Sequence, residues 1–148
     1  MRDAGSEAAC FLCAAVAAGD EAELVVSGDD ATVTILNRYP YNTGHLMVAP
    51  RQHVPDLLAA GDDGAAALMV AARRAMRALQ LAMRPDGFNV GVNHGQAAGA
   101  SVEHVHLHVV PRWSGDTNYM PVISDTKVLA ELVEETAARL RPAFAALE

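Results

Sequence analysis

His104-Val105-His106-Leu107-His108-Val109-Val110 sets three imidazoles in alternation with β-favouring apolar residues. In an extended strand successive side chains point to opposite faces. The spacing therefore predicts that His104, His106 and His108 share one face and that Val105, Leu107 and Val109 share the other. No helix gives that separation. Three nucleophilic, metal-competent rings on one face are costly to bury without partners, so the run predicts a strand with one side on a core and the other toward a ligand. The bland reading of the same run is a His-rich strand on a solvated face, or an adventitious metal site.

The residues around this run supply a sheet and its cover. Glu23 to Ser27 and Ala31 to Asn37 are β-rich and separated by Gly28-Asp29-Asp30, a pattern for a hairpin with an acidic turn. Arg38 to Thr43 reads as a loop, and Gly44 to Ala49 as a third strand ended by Pro50. Asp56 to Ala60 reads as one or two helical turns, interrupted at Gly61-Asp62-Asp63-Gly64. Ala65 to Met83 then carries Leu68, Ala71, Ala72, Ala75, Met76, Leu79 and Met83 at helical spacing. Pro85-Asp86-Gly87 stops this helix. Phe88 to Asn93 reads as a fourth strand, Gly95 to Gly99 as a small-residue loop, and Val102 to Val110 as the fifth strand. Asp125 to Leu147 reads as an amphipathic helix capped by Ser124 or Asp125, with Val128, Leu129, Leu132, Val133, Ala137 and Leu140 inward. A short helical turn from Cys13 to Ala18 closes at Gly19. The order predicts an α+β fold: a five-stranded antiparallel sheet with one long central helix and a C-terminal helix.

At 148 residues, 51% of them apolar, the chain predicts one domain over 1–148 with a substantial core. A formal charge of −7 argues against a nucleic-acid partner, which would need a basic stripe, so the expected partner is small. No apolar run reaches the ~18 residues of a membrane span. The first residues lack a charged stretch followed by an apolar run and a cleavage site, so the expectation is no membrane partner and a cytoplasmic location.

Cys10 and Cys13 are the only cysteines. In a reducing compartment they make either a redox pair or half of a zinc site. The residues before Cys10 do not read as the strand that a redox C-x-x-C usually follows, and zinc needs two further nitrogen or sulfur ligands.

Taken together, five blocks carry a family resemblance. They are Cys10/Cys13; Ile35-Leu36-Asn37-Arg38-Tyr39-Pro40 running into Pro50-Arg51-Gln52-His53; Asn93-His94-Gly95; Gly99-Ala100-Ser101; and the alternating histidines. In this order they resemble the histidine triad family of nucleotide hydrolases and transferases. The block from Tyr39 to His45 and the tail from Pro111 to Asn118 look most like bacterial diadenosine tetraphosphate phosphorylases and hydrolases. The resemblance implies a role for each matching residue. His106 would be the nucleophile that attacks the α-phosphorus and carries the nucleotidyl group. His108 would donate to the phosphoryl oxygens, and Ser101 would hydrogen-bond the leaving group. Asn93 and Gly99 would lie along the phosphates and Asn37 would meet the ribose. It also implies that Cys10, Cys13, His53 and His104 complete a Cys2His2 zinc site without an open position, hence structural, and that the protein is a homodimer.

An electrophilic phosphorus ringed by anionic oxygens calls for a nucleophile that is neutral at pH 7 and for hydrogen-bond donors, and imidazole provides both. Each role has a plain counterpart. Ser101 equally fits a loop cap, and Asn37 and Asn93 equally fit turn-stabilising positions. His45 reads as a satisfied core residue, and Trp113 either stacks on a base or covers the core. Arg112 and Lys127 are candidates for local positive potential. Ala100 stands where many relatives have Gln, which removes one amide donor near the leaving group. Three other readings stay open: a nucleoside phosphoramidate or acyl-nucleotide hydrolase, a zinc-stabilised nucleotide-binding module without turnover, and a metalloenzyme that gathers all three histidines around one open metal.

Overall fold

Asp29 sets the first hairpin. Its carboxylate accepts from the Ala31 and Thr32 N–H groups at 2.9 and 2.7 Å and from the Thr32 hydroxyl at 3.1 Å, which turns the chain between β1 (Val25–Gly28) and β2 (Thr32–Leu36). A computed structural model describes this protein over residues 9–116 and 131–148. Within them, β3 (Leu46–Pro50), β4 (Gly87–Val92) and β5 (Leu107–Arg112) complete a five-stranded sheet in the order β1-β2-β3-β5-β4, with every pair antiparallel. The predicted α+β architecture is the observed one.

Both faces of the sheet are covered. Val105, Leu107 and Val109 join Leu36, Leu46 and Val48 against α2 (Leu57–Met83) and α3 (Val133–Ala145), where Leu68, Leu79, Leu140 and Phe144 are buried. On the opposite face Val25, Val33, Ile35, Met47 and Ala49 pack with Cys10 and Leu12 of the short α1 (Phe11–Ala18). The strand period of two sorts residues between these two layers, as the alternation predicts.

Asp56 caps α2 by accepting from the Ala59 N–H at 2.8 Å. One turn later Gly61 leaves helical geometry at φ 71°, so the predicted interruption is a kink inside one element. Gly44, at φ 88°, turns the chain into β3 where no side chain fits: an added Cβ would lie 2.9 Å from Met83 Sδ and 3.1 Å from Pro111 Cγ.

Of the boundaries that differ from the sequence reading, two matter most. Regular pairing of the fifth strand begins at Leu107, not Val102, so only His108 of the three histidines lies in the ladder. Pro50 is the reason. Arg51 N–H bonds toward β2, so Pro50 faces β5, where it has no N–H to give; its carbonyl takes the His104 ring, and Val105 N–H goes to Val54 O at 2.8 Å. At the other end, α3 begins at Val133 with Leu132 as its N-cap, 66% exposed and so not inward. Ser124, Asp125, Lys127, Val128 and Leu129 lie outside the described residues. Among those described, no helix is long and apolar enough to cross a membrane.

Candidate active site and metal centre

The extended alternation outlasts the ladder and divides the three histidines between two neighbouring sites. His104 turns into a cluster with Cys10, Cys13 and His53, whose ligand atoms all lie within 4.8 Å of one another. Cys10 Sγ is 3.3 Å from His104 Nδ1, and Cys13 Sγ is 3.1 Å from His53 Nδ1 and 3.5 Å from His104 Nδ1. His104 Nε2 donates to the Pro50 carbonyl at 2.8 Å, which leaves Nδ1 bare and aimed at the sulfurs. Burial lowers the His104 pKa, so its neutral, ligating form is favoured. Two thiols and two imidazoles at this mutual spacing fit a tetrahedral metal ion. Cys10 caps α1, with Cys13 N–H at 3.5 Å from its sulfur, so the helix start itself presents both thiols. The predicted ligand set therefore comes together. The reading with all three histidines on one metal is overturned, because only His104 of the triad belongs to the cluster.

His106 and His108 line a cavity of about 790 Å³ on the sheet face that α1 partly covers. Ser101, Asn37, Asn93 and Gly99 line the same cavity, so every residue expected to contact substrate borders one space. Its lining mixes these polar groups with the apolar side chains of Phe11, Leu24, Val25, Ile35 and Met47. His106 is buried, and its Nδ1–H donates to the His104 carbonyl at 2.9 Å, which puts the lone pair on Nε2. Asn93 Nδ2 donates to the Gly99 carbonyl at 3.4 Å and thereby ties β4 to the loop before the histidines. Asn37 Oδ1 accepts from Tyr39 N–H at 2.9 Å, so its amide NH2 is the end left for a ligand.

Sequence reasoning did not give His45 a site role. It is fully buried, and its Nδ1 accepts from Tyr41 N–H at 3.0 Å, so in the neutral ring the proton sits on Nε2. That Nε2 lies 2.8 Å from His108 Nδ1, so the chain of bonds leaves His108 with its own proton on Nε2. Tyr41 stacks on His108 with ring centroids 5.8 Å apart. Burial, and after it the neighbouring His106, hold His108 below its ordinary pKa. The only signal in sequence is a histidine inside an apolar strand run, which does not reveal a partner 63 positions away.

The weaker candidates Arg112 and Trp113 fall elsewhere, as does His94. Arg112 is held by Asp116 through two bonds of 2.9 and 3.0 Å and donates to Asn89 at 2.8 Å, so its charge is offset within the protein. Trp113 does not line the cavity. His94 is half exposed beside Asp56 at 3.7 Å, away from the cavity lining.

The HIT domain family profile matches residues 19–115, which spans the hairpin, most of the cavity lining and the three histidines. This chain belongs to the histidine triad family. Among curated histidine triad relatives, a Mycobacterium tuberculosis protein named AP-4-A phosphorylase is 44% identical over 127 residues, covering 85% of this chain and 65% of the relative. The chain thus spans just under two thirds of that protein's length. Of solved structures, a Zn-bound histidine triad family protein from Mycobacterium smegmatis superposes with a TM-score of 0.78 at 32% identity, covering 95% of this chain and 96% of the other. A histidine triad nucleotide-binding protein from Sulfolobus tokodaii follows with a TM-score of 0.76 at 26% identity, covering 93% of each chain. The histidine triad fold accounts for the sheet order and for the helices on it.

Proposed function

We propose that this protein cleaves dinucleoside polyphosphates of the diadenosine tetraphosphate type at the α-phosphorus, through a nucleotidyl-His106 intermediate. The observation that carries the reading is the orientation of His106: its Nδ1–H is committed to a backbone carbonyl, and the ring borders a cavity lined by both polar and apolar side chains. The nucleophilic atom is then Nε2. As the Nε2–P bond forms, the bond to the bridging oxygen breaks, ATP leaves with the electron pair, and AMP stays on His106. The charge the ring gains is stabilised by the His104 carbonyl. An acceptor next displaces His106 from phosphorus: inorganic phosphate gives ADP, and water gives AMP. The AP-4-A phosphorylase relative favours phosphate as the acceptor.

His108 is assigned to donate from Nε2 to the phosphoryl oxygens, and Ser101 to hydrogen-bond the leaving oxygen. Asn93 and Gly99 frame the phosphate chain, and the Asn37 amide meets a ribose hydroxyl. Cys10, Cys13, His53 and His104 would hold zinc. Bound there, zinc would cross-link the N-terminal segment to the sheet in a closed, structural site. We assign the whole chain, 1–148, to one domain that acts as a cytoplasmic homodimer, with no nucleic-acid or membrane partner.

The test is incubation with diadenosine tetraphosphate, with and without inorganic phosphate, beside His106→Ala. ADP plus ATP only when phosphate is present is the expected result, with His106→Ala inert. AMP plus ATP without phosphate makes the protein a hydrolase at the same phosphorus. Absence of any product that depends on His106 overturns the reading in favour of phosphoramidate cleavage or binding without turnover.

A further inference from the structure

Part of the cavity wall is a stretch of chain that regular structure barely holds. Ala22, Glu23, Leu24 and Val25 all line it, yet they precede or only begin β1, an edge strand whose register shifts between Val25 and Ser27. Inside the sheet the stretch is fastened by Leu36 N–H to Leu24 O at 2.8 Å, and within itself by Val25 N–H to Ala22 O at 3.0 Å. The Glu23–Arg38 pair at the rim is 3.7 Å apart and half exposed, so it adds little. Ala22 N–H to Gly19 O at 3.0 Å and the pairing of Val25 with Ile35 add to this, and one side chain from the far end of the sequence contributes three further bonds. From α3, Arg141 donates through Nε to Val25 O at 3.1 Å and through NH2 to Ala22 O at 3.1 Å and Glu23 O at 2.6 Å. Its backbone is set by the buried Leu140 beside it. A planar guanidinium that spans three carbonyls fixes their relative positions in a way that a single-point donor cannot.

We propose that Arg141 is a positioning residue for the nucleobase end of the cavity, and this rests on the nucleotide reading given above. It lies outside the residues that the family profile matches and contributes nothing to the cavity lining itself. It acts by holding the wall formed by Ala22 to Val25 at the width of a base. The phosphate end, made by His106, His108, Ser101 and Asn93, is positioned by other elements. Loss of Arg141 therefore weakens ligands that carry a base and spares those that lack one.

Calorimetric titration of the full-length protein with AMP and with ribose 5-phosphate separates the two ends. Wild type binds AMP the more tightly. Arg141→Gln raises the AMP Kd about tenfold, as expected for losing charge-assisted hydrogen bonds, and leaves ribose 5-phosphate unchanged. Arg141→Lys keeps the charge but not the fork, and loses about threefold for AMP alone. Circular dichroism checks the fold, and should Arg141→Gln fail to fold, the lysine variant decides by the same comparison. Equal losses for both ligands, or no loss for either, overturn the role of Arg141. Wild type that binds neither ligand overturns the nucleotide reading and the assignment of Arg141 with it.

Discussion

His45 decides which nitrogen of His108 carries a proton. Because Tyr41 N–H occupies one side of the His45 ring, the other side must donate, and His108 is left as a donor toward the cavity. An imidazole free to change tautomer would present a lone pair to an anionic phosphoryl oxygen half the time, with repulsion in place of a hydrogen bond. His45→Phe keeps the ring volume in a fully buried position and removes both bonds. The expected outcome is a fall in kcat of about 10- to 100-fold, as for other orienting partners of active-site imidazoles, with little change in KM. His45→Gln can still accept from Tyr41 and donate to His108, so it should recover part of the rate. Unchanged kcat in a folded His45→Phe protein would remove His45 from the machinery. At this scale the sequence was generous with types and silent about pairs. The alternation put His106 and His108 on one side of the chain, where both line the cavity, but nothing in a linear string joins His45 to His108, 63 positions on.

At the scale of elements, α1 is held at both levels of the site. Its cap and first turn carry Cys10 and Cys13, while Phe11 between them faces the cavity and meets the His106 ring edge-on at 6.3 Å. His104 links the same two regions, since its ring joins the thiols and its carbonyl holds His106. A metal bound here would therefore be coupled to the cavity, and so to the nucleotide binding proposed above, through His104 and Phe11. Chelation should lower the melting temperature and raise the Kd for AMP, and zinc, read by atomic absorption at one ion per chain, should restore both. At free zinc a thousandfold above its Kd the stabilisation is about 4 kcal/mol. Cys13→Ser should bind zinc weakly and show the chelated phenotype without chelator. Melting that ignores chelator would mean that the four residues hold no metal. The elements themselves were largely legible, because Asp29, Gly61 and the Pro85-Asp86-Gly87 stop act locally. The start of β5 was not, because Pro50 ends that pairing from a different strand and the histidine pattern runs on past the last ladder bond.

For the molecule as a whole, a net charge of −7 opposes the anionic substrate proposed above, and beside Arg38 the cavity answers with imidazole, amide and hydroxyl groups. That choice makes stability depend on pH. Burial and the adjacent His106 depress His108 below 6.5, with His45 and Tyr41 packed against its other side. Below that value the unfolded chain binds the proton that the folded one resists. The stabilisation is therefore complete above pH 6.5 and is lost as pH falls through the lower folded value. Urea midpoints should drop on acidification from pH 7 to 5, and His108→Asn should flatten part of that slope; parallel curves would contradict the shift. The sheet poses the remaining whole-molecule question. β4 is an edge strand with Asn89, Val90 and Gly91 exposed, and α2 leaves Met69 and Val70 more than half exposed. An edge unpaired among the described residues, together with exposed apolar side chains on α2, invites pairing with a second copy, which would join two five-stranded sheets. Light scattering after gel filtration should then give twice the 15.6 kDa of one chain. Val90→Lys places a charge on the edge, should halve that mass, and should leave the circular dichroism spectrum unchanged. A wild-type mass of one chain at tens of micromolar protein, far above the Kd of an interface of ordinary size, would mean that β4 stays unpaired in solution.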